Sequence, residues 1–395
     1  MDFTNLAQKY GTPLYVYDFN YMAHRYEALK NAFHARKSLV CYAVKANSNL
    51  SILKFLAGLG AGFDCVSVGE VRRALLAGAK SYQIILSGVG KRDDELKFAL
   101  ENEILMINLE SEAEMNRLEA IAKQLGKPAR ISIRVNPDID AKTHPYISTG
   151  LNENKFGVDL QTAKKMYLHA KNSPYLEPVG IHSHIGSQIT DIKPVIEAAK
   201  IVANLTRELK AAQIDIKFFD VGGGIGIVYG DESEPDLYEY AQGILANLSG
   251  LDVTVVCEPG RFIVGNAGYF LTSVLYEKFN KEKRFVIVDG AMNDLIRPSL
   301  YQARHKIFAL SGGKTLCECK KEQLDEFKFS PCDVVGPICE SGDFLAKDRN
   351  LPPLNPGDLV VIKSAGAYGF AMSSNYNTRR RAAEVAVKGG AGPPT

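Results

Sequence analysis

Five short stretches of the chain carry side chains able to do covalent or acid–base chemistry. Tyr42-Ala43-Val44-Lys45-Ala46-Asn47 closes an apolar run with a single lysine. Lodged among apolar neighbours, a lysine loses ammonium solvation, its pKa falls, and the free amine can act as nucleophile or Schiff-base partner. An isolated lysine is more often a snorkelling surface residue, so this reading depends on what the rest of the chain brings to it. Asp64-Cys65-Val66-Ser67 offers a carboxylate and a hydroxyl, and His182-Ser183-His184-Ile185-Gly186-Ser187-Gln188 offers two imidazoles and two hydroxyls. Asp220-Val221-Gly222-Gly223-Gly224-Ile225-Gly226 sets three glycines after a carboxylate, and Glu258-Pro259-Gly260-Arg261 joins a carboxylate to a guanidinium. Consecutive glycines let backbone amides approach an anion closely. Their spacing misses G-x-G-x-x-G and no helix follows at once, so this is not a dinucleotide fingerprint. Alone, the stretch reads equally as a phosphate cradle or a plain turn.

Each of these stretches ends an apolar run of strand length. The candidate strands are Leu39 to Val44, Phe63 to Val66, Gln83 to Leu86, Ile104 to Asn108, Arg130 to Val135, Val179 to His184, Lys217 to Val221 and Val253 to Cys257. Amphipathic spacing fills the gaps at Val71 to Ala77, at Ile192 to Leu209, at Leu237 to Leu248, and behind a Ser111/Glu114 capping box that precedes Met115, Leu118 and Ile121. Eight β-runs alternating with helices predict an α/β architecture, a closed parallel (β/α)8 TIM barrel over residues 24–264. Beyond Val264 the pattern changes to short strands punctuated by Gly and Pro: Phe270 to Tyr276, Arg284 to Val288, Asp333 to Val335 and Leu359 to Ile362. That predicts an all-β, antiparallel C-terminal domain over 265–387, joined by residues 1–23 through a strand near Leu14. Residues 388–395 are rich in Gly and Pro and read as a flexible tail.

Composition narrows the partners. The chain has 395 residues, 46% hydrophobic and 23% charged, with a net charge of +2, which gives no reason to expect nucleic acid or an anionic membrane. The start, Met1-Asp2-Phe3-Thr4, lacks a basic region followed by an apolar core, and no window approaches the ~20 apolar residues of a membrane span, so the expected location is cytoplasmic. Of the seven cysteines, Cys41, Cys65 and Cys257 lie in apolar runs and read as reduced core residues. Cys317 and Cys319 are too close, and lack a second ligand pair, for zinc, so no metal is expected.

In a (β/α)8 barrel the active site is built at the carboxyl ends of the strands, and the polar residues collect there. Late barrel strands often hold phosphate, and with Arg261 from one neighbouring strand and Ser187 from the other the glycine stretch reads as a phosphate cradle. A reactive lysine and a phosphate cradle in one mouth point to pyridoxal 5'-phosphate, whose aldehyde the lysine binds. Glu258 is the candidate partner for the pyridine nitrogen, because a carboxylate there keeps the ring protonated. His184, at a strand end, is placed to stack on the ring. His182, further down its strand, suits a hydrogen-bonded core histidine better.

In combination these motifs resemble those of the diaminopimelate decarboxylases, a family of fold-type III pyridoxal-phosphate enzymes built on an alanine-racemase-like barrel with a C-terminal β domain. The resemblance runs from about Thr12 to about Val387. It is carried by the stretches around Lys45, Asp64 to Glu70, His184 to Gln188 and Glu258 to Arg261, and by His144-Pro145-Tyr146-Ile147 leading to Lys155-Phe156-Gly157. Arg297-Pro298-Ser299-Leu300-Tyr301, Cys339-Glu340-Ser341 and Ala367-Tyr368 complete it. The resemblance implies that Lys45 forms the Schiff base and that His184 stacks on the ring. Ser187, Gly222, Gly223, Gly224, Gly260, Arg261 and Tyr368 would hold the phosphate, with Glu258 at the pyridine nitrogen and Asp64 among the cofactor-binding residues. Arg261, Arg297, Tyr301, Glu340 and Tyr368 would contact substrate. It further implies a homodimer with shared active sites, in which Cys339 and Glu340 reach into the partner's barrel. The chain departs from the family pattern at its Gly/Pro tail and at Asn377-Thr378-Arg379-Arg380, where an Arg-Pro pair is more usual.

The reaction this resemblance implies is a decarboxylation. The substrate α-amine displaces Lys45, carbon dioxide leaves with the electrons flowing toward the protonated pyridine, and Cys339 protonates Cα. Ornithine or arginine would present a distal cation, for which acidic groups suffice. Diaminopimelate presents a second amino-acid centre, which needs a cation and an acid, and Arg297 with Tyr301 and Glu340 offers both signs. That favours meso-2,6-diaminopimelate going to L-lysine, with carboxynorspermidine as the nearest rival substrate. A regulatory homologue would have lost the lysine or the thiol, and a one-domain cofactor carrier would lack everything beyond Gly265. Lys45, Cys339 and the β domain are all present.

Overall fold

The computed structural model describes residues 1–140, 149–150, 155–230, 232–320, 324 and 331–388. The His144-Pro145-Tyr146-Ile147 motif and the tail beyond Lys388 lie outside the described residues. Among the described residues the chain forms two compact units, one of 23–227 with 233–263, the other of 1–22, 228–232 and the residues from 264 onward.

The first unit is the barrel. After α1 (Phe3–Tyr10), β1 (Leu14–Asp18) and α2 (Phe19–Ala32), eight parallel strands follow: β2 (Ser38–Ala43), β3 (Gly62–Cys65), β4 (Ile84–Leu86), β5 (Met106–Leu109), β6 (Ala129–Arg134), β7 (Leu176–His182), β8 (Phe218–Asp220) and β9 (Thr254–Cys257). They pair in sequence order, and β9 closes on β2 through Ser38↔Val255 and Val40↔Cys257. The predicted strands are therefore present, with ends shifted by no more than three residues. Their burial is nearly continuous, as expected of parallel strands covered on both faces. Cys41, Ile85, Leu105, Met106, Val179 and Val256 form one core cluster, so Cys41 is a packing residue as its apolar run suggested. The intervening helices are α3 (Leu50–Gly58), α4 (Val68–Leu76), α5 (Asp93–Glu101), α6 (Glu112–Leu125), α7 (Leu160–Asn172), α8 (Lys193–Ala211) and α9 (Leu237–Asn247). In α8 the buried Val195, Ala198, Ala199, Val202, Ala203, Leu205 and Leu209 recur at helical spacing. The Ser111 side chain accepts from the Glu114 N–H, as the capping box requires. The Glu114 carboxylate reaches back to the N–H of Glu110 rather than of Ser111 and also pairs with Lys91.

Beyond the short α10 (Arg261–Val264), the second unit contains β10 (Gly268–Asn280), β11 (Lys283–Val288), α11 (Arg297–Tyr301), β12 (Ile307–Ser311), β13 (Lys314–Cys317), β14 (Cys332–Val335), β15 (Ala346–Arg349), β16 (Leu359–Ile362) and β17 (Ala383–Val387). The sheet runs β13-β12-β16-β10-β11-β14-β15, with β1 pairing β10 and β17. Two of its pairings, β1 with β17 and β11 with β14, are parallel, so the domain is mostly rather than wholly antiparallel. Phe3, Leu14, Val16, Tyr269, Leu271 and Val361 make its core, which α1 enters through Phe3.

Candidate active site

The carboxyl ends of the barrel strands bring together most of the polar residues singled out above. Lys45 lies in a single 3-10 turn, Val44–Ala46, directly after β2. The apolar surroundings expected for it are not what the structure shows. Its side chain is 39% exposed, and Nζ stands 3.5 Å from Oδ2 of Asp64, a carboxylate at the end of β3 that is only 1% exposed. Burial and the nearby Glu258 push the Asp64 carboxyl upward, while Lys45 and a Ser87 hydrogen bond pull it back. A lysine at a half-open mouth, paired with a buried carboxyl, takes the place of a lysine in an apolar pocket, because β3 delivers Asp64 beside Ala43 in register.

Strands β7, β8 and β9 supply the other side. His182 pairs in register with Asp220. The His182 Nε2 lies 3.3 Å from Oε2 of Glu258, and both side chains are buried. Burial raises the Glu258 carboxyl, but the charge and hydrogen bond of His182, then the charge of Lys45, outweigh it and hold the pKa down at about 2. Glu258 is thus an anion at neutral pH. His182 is a buried, hydrogen-bonded histidine, as its position suggested, and its partner is Glu258.

His184 is held neutral. Burial, with the charges of Arg134 and Lys45, pushes the imidazole well below its ordinary range. The Gly223 N–H donates to Nδ1 at 3.1 Å, so the ring carries its proton on Nε2. Its carbonyl accepts from Arg134 Nη2 at 3.2 Å and from the Thr149 hydroxyl at 2.9 Å. Arg134 is in turn paired with the buried Glu110 at 3.0 Å, and Glu110 also accepts the Gly157 N–H at 2.7 Å. This support was missed in the sequence. Arg134 falls within the expected strand Arg130 to Val135, but nothing in the spacing tied it to Glu110.

The glycine turn is tighter than an open cradle. The Gly222 N–H donates to Oδ1 of Asp220 at 2.8 Å and that of Gly223 to His184, so two of the three amides are already spent on the site's own side chains. A Cβ on Gly223 would lie 2.2 Å from the Glu258 carbonyl oxygen, and one on Gly224, whose φ is +97°, would lie 2.3 Å from that of Gly186. Close approach of neighbouring backbone therefore demands glycine here as much as any anion does. Arg261, 6% exposed, donates to the Ser187 hydroxyl at 3.0 Å. Gly260 packs where a Cβ would meet that of Ala46 at 3.0 Å.

The remaining predicted residues belong to the β unit. Arg297 opens α11 and is 6% exposed. Its guanidinium lies 4.5 Å from the centre of the Tyr229 ring and donates to His305 Nε2 at 3.0 Å, while His305 Nδ1 lies 2.8 Å from the Lys363 carbonyl oxygen. Tyr301 ends the same helix, partly buried. Cys339 and Glu340 are both exposed, so Cys339 is not a buried core cysteine. The Cys339 N–H donates to Oδ1 of Asn377 at 2.9 Å. Tyr368 adopts a φ of +55°.

The barrel's donor set fits pyridoxal phosphate: an amine for an aldehyde, an ionised carboxylate for a pyridinium, a neutral flat ring, and a buried guanidinium with a hydroxyl for a phosphate. Residues 20–265 match the family model described as pyridoxal-dependent decarboxylase, pyridoxal binding domain. A diaminopimelate decarboxylase of Campylobacter jejuni is 62% identical over 391 residues, covering 99% of this chain and 94% of the relative. One of Helicobacter pylori is 54% identical over 387 residues, covering 98% and 93%. A crystal structure of the Helicobacter pylori enzyme complexed with L-lysine superposes with a TM-score of 0.92 at 54% identity, covering 98% of this chain and 94% of that one. Fold and site thus define a pyridoxal-phosphate-dependent decarboxylase of the barrel-plus-β-domain type. Within that class the chain belongs to the diaminopimelate decarboxylase family.

Proposed function

We propose that the barrel mouth carries out the pyridoxal-phosphate-dependent decarboxylation of meso-2,6-diaminopimelate to L-lysine and carbon dioxide, the final step of lysine formation. The observation that carries this reading is the convergence, on one rim, of Lys45 with Asp64, His182 with Glu258, and Arg261 with Ser187. Relatives named for this activity match nearly the whole chain. Bound there, pyridoxal phosphate supplies the sink for the electron pair released when the carboxylate departs. Lys45 presents the amine that would hold the aldehyde, and Asp64 orients that amine. Glu258, ionised, would keep the pyridine nitrogen protonated, and the His184 ring would lie against the cofactor's face. Arg261, Ser187, Gly222, Gly223, Gly224, Gly260 and Tyr368 would hold the phosphate.

Arg297 is the cation for the substrate's distal carboxylate, with Tyr301, Glu340, Tyr368 and Arg261 as further contacts. Cys339 gives up its thiol proton to Cα and regains one from solvent. In this reading 24–264 is the cofactor domain, and 1–23 with 265–387 the domain that supplies the proton donor. The protein acts as a homodimer in which Cys339 and Glu340 serve the partner's barrel, and it works in the cytoplasm. Among the described residues no helix is long and apolar enough to cross a membrane. Carbon dioxide release should be measured in parallel from meso-diaminopimelate, ornithine, arginine and carboxynorspermidine. Faster turnover of any of the last three would refute the substrate assignment.

A further inference from the structure

Asp220 ends β8 with no solvent exposure, and no step of the reaction described above uses its side chain. Its carboxyl stands with His182 and Glu258 in one buried cluster, in which one nitrogen or oxygen from each lies within 4.8 Å of the others. Two oxygens of the cluster, Asp220 Oδ2 and Glu258 Oε1, accept no hydrogen bond from a donor among the described residues. Two buried carboxylates at this separation cannot both be ionised, since mutual repulsion adds to the desolvation of each. A proton on one of the pair relieves that repulsion.

Geometry decides which. Glu258 Oε2 already faces His182 Nε2 at 3.3 Å, a contact that stabilises its anion. Asp220 has one N–H, from Gly222, on Oδ1. The groups acting on it from β2, β3, β9 and α9 are Cys41, Asp64, Cys257 and Tyr240, all acids. We propose that Asp220 is a positioning residue: as a neutral carboxylic acid it donates Oδ2–H to Glu258 Oε1, so that Asp220 and His182 clamp the glutamate from both oxygens and keep it charged and fixed. The proposal rests on the reading that Glu258 partners the pyridine nitrogen. Burial and the neighbouring Glu258 push the Asp220 carboxyl well above its ordinary range, in keeping with this assignment. Through Gly222, the same side chain ties the glutamate's orientation to the glycine turn. The proton is shared locally and leaves neither residue during the reaction.

Three variants test this. D220N keeps an N–H donor toward Glu258 and an acceptor for Gly222, D220L keeps the volume and neither group, and E258Q removes the charge. The infrared difference spectrum of apoenzyme, wild type minus D220N at pH 7, should contain a protonated-carboxyl stretch. A carboxylate band in its place overturns the proposal. D220L should bind pyridoxal phosphate about tenfold more weakly, lose about tenfold in kcat with KM for diaminopimelate little changed, and shift the absorption of the bound cofactor, whereas D220N recovers most of each loss. Equal behaviour of D220L and D220N also overturns it, and if D220L does not fold the infrared result decides alone. E258Q addresses the underlying reading separately: an unchanged cofactor spectrum and kcat would remove Glu258 from the pyridine nitrogen, whatever the state of Asp220.

Discussion

Lys45, Glu258 and Arg261 could be found in the sequence because each ends or directly follows an apolar run, so their placement at a barrel rim follows from local pattern alone. The partners of Arg297 could not. The guanidinium of Arg297 rests on Tyr229, 68 positions away, and on His305, which a turn brings back to it. Such contacts exist only after folding. Replacing Lys45 by Ala should abolish both turnover and the visible absorbance of bound cofactor in a protein that still melts cooperatively; a retained band would exclude Lys45 as the covalent anchor. Arg297→Ala should raise KM for diaminopimelate by several-fold or more through loss of a charge-assisted carboxylate contact, and steady-state kinetics would show it. His305→Ala leaves the arginine without its imidazole acceptor and should give a smaller loss of the same kind. An unaltered KM in both variants would place the distal carboxylate elsewhere.

At the level of elements, the strands of the barrel were predicted to within three residues, whereas β12, β13, β15 and β17 were not. The reason is physical. β13 and β15 terminate the sheet, and their residues, Lys314-Thr315-Leu316-Cys317 and Ala346-Lys347-Asp348-Arg349, are mostly exposed or charged, as edge strands must be to resist pairing with other chains. Polar edges carry little of the alternation on which strand prediction depends. The turn after β8 offers a sharper test. In Gly223→Ala the new methyl would overlap the Glu258 carbonyl, and the variant should lose about 1–3 kcal/mol of stability and much of its cofactor affinity, measured by melting and by equilibrium dialysis. The cap of α4 is sensitive to pH. There the Glu70 carboxylate accepts the Val66 N–H at 2.8 Å, and burial pushes the carboxyl up to about 7. The unfolded chain ionises this group first, near its ordinary pKa of about 4.3, so folding stability should fall as pH rises from there to about 7 and then level off. Glu70→Gln should therefore gain stability relative to wild type between those limits, by about 1–2 kcal/mol after allowance for partial exposure. A constant difference in melting temperature between pH 4 and pH 8 would contradict that.

For the molecule as a whole, the division into barrel and β unit was legible because the spacing of apolar residues changes at Val264. The proposed sharing of active sites between two chains came only from the family resemblance, since the pattern of one chain says nothing of a second. If Cys339 serves the partner's barrel, Lys45→Ala and Cys339→Ala homodimers should each be inactive, while mixing them after dissociation should restore roughly a quarter of wild-type activity, because half the dimers are then mixed and each has one complete site. No recovery on mixing would mean that each chain completes its own site. The β unit also has an unusual order in time. Its strand β1 is made first and its parallel partner β17 last, with the entire barrel translated in between. On a ribosome the barrel can therefore close while β1 still waits for the other side of its ladder. A chain that stops short of Ala383 would keep every cofactor ligand proposed here yet leave one flank of β1 uncovered, a sticky seam that invites aggregation rather than a simple loss of chemistry.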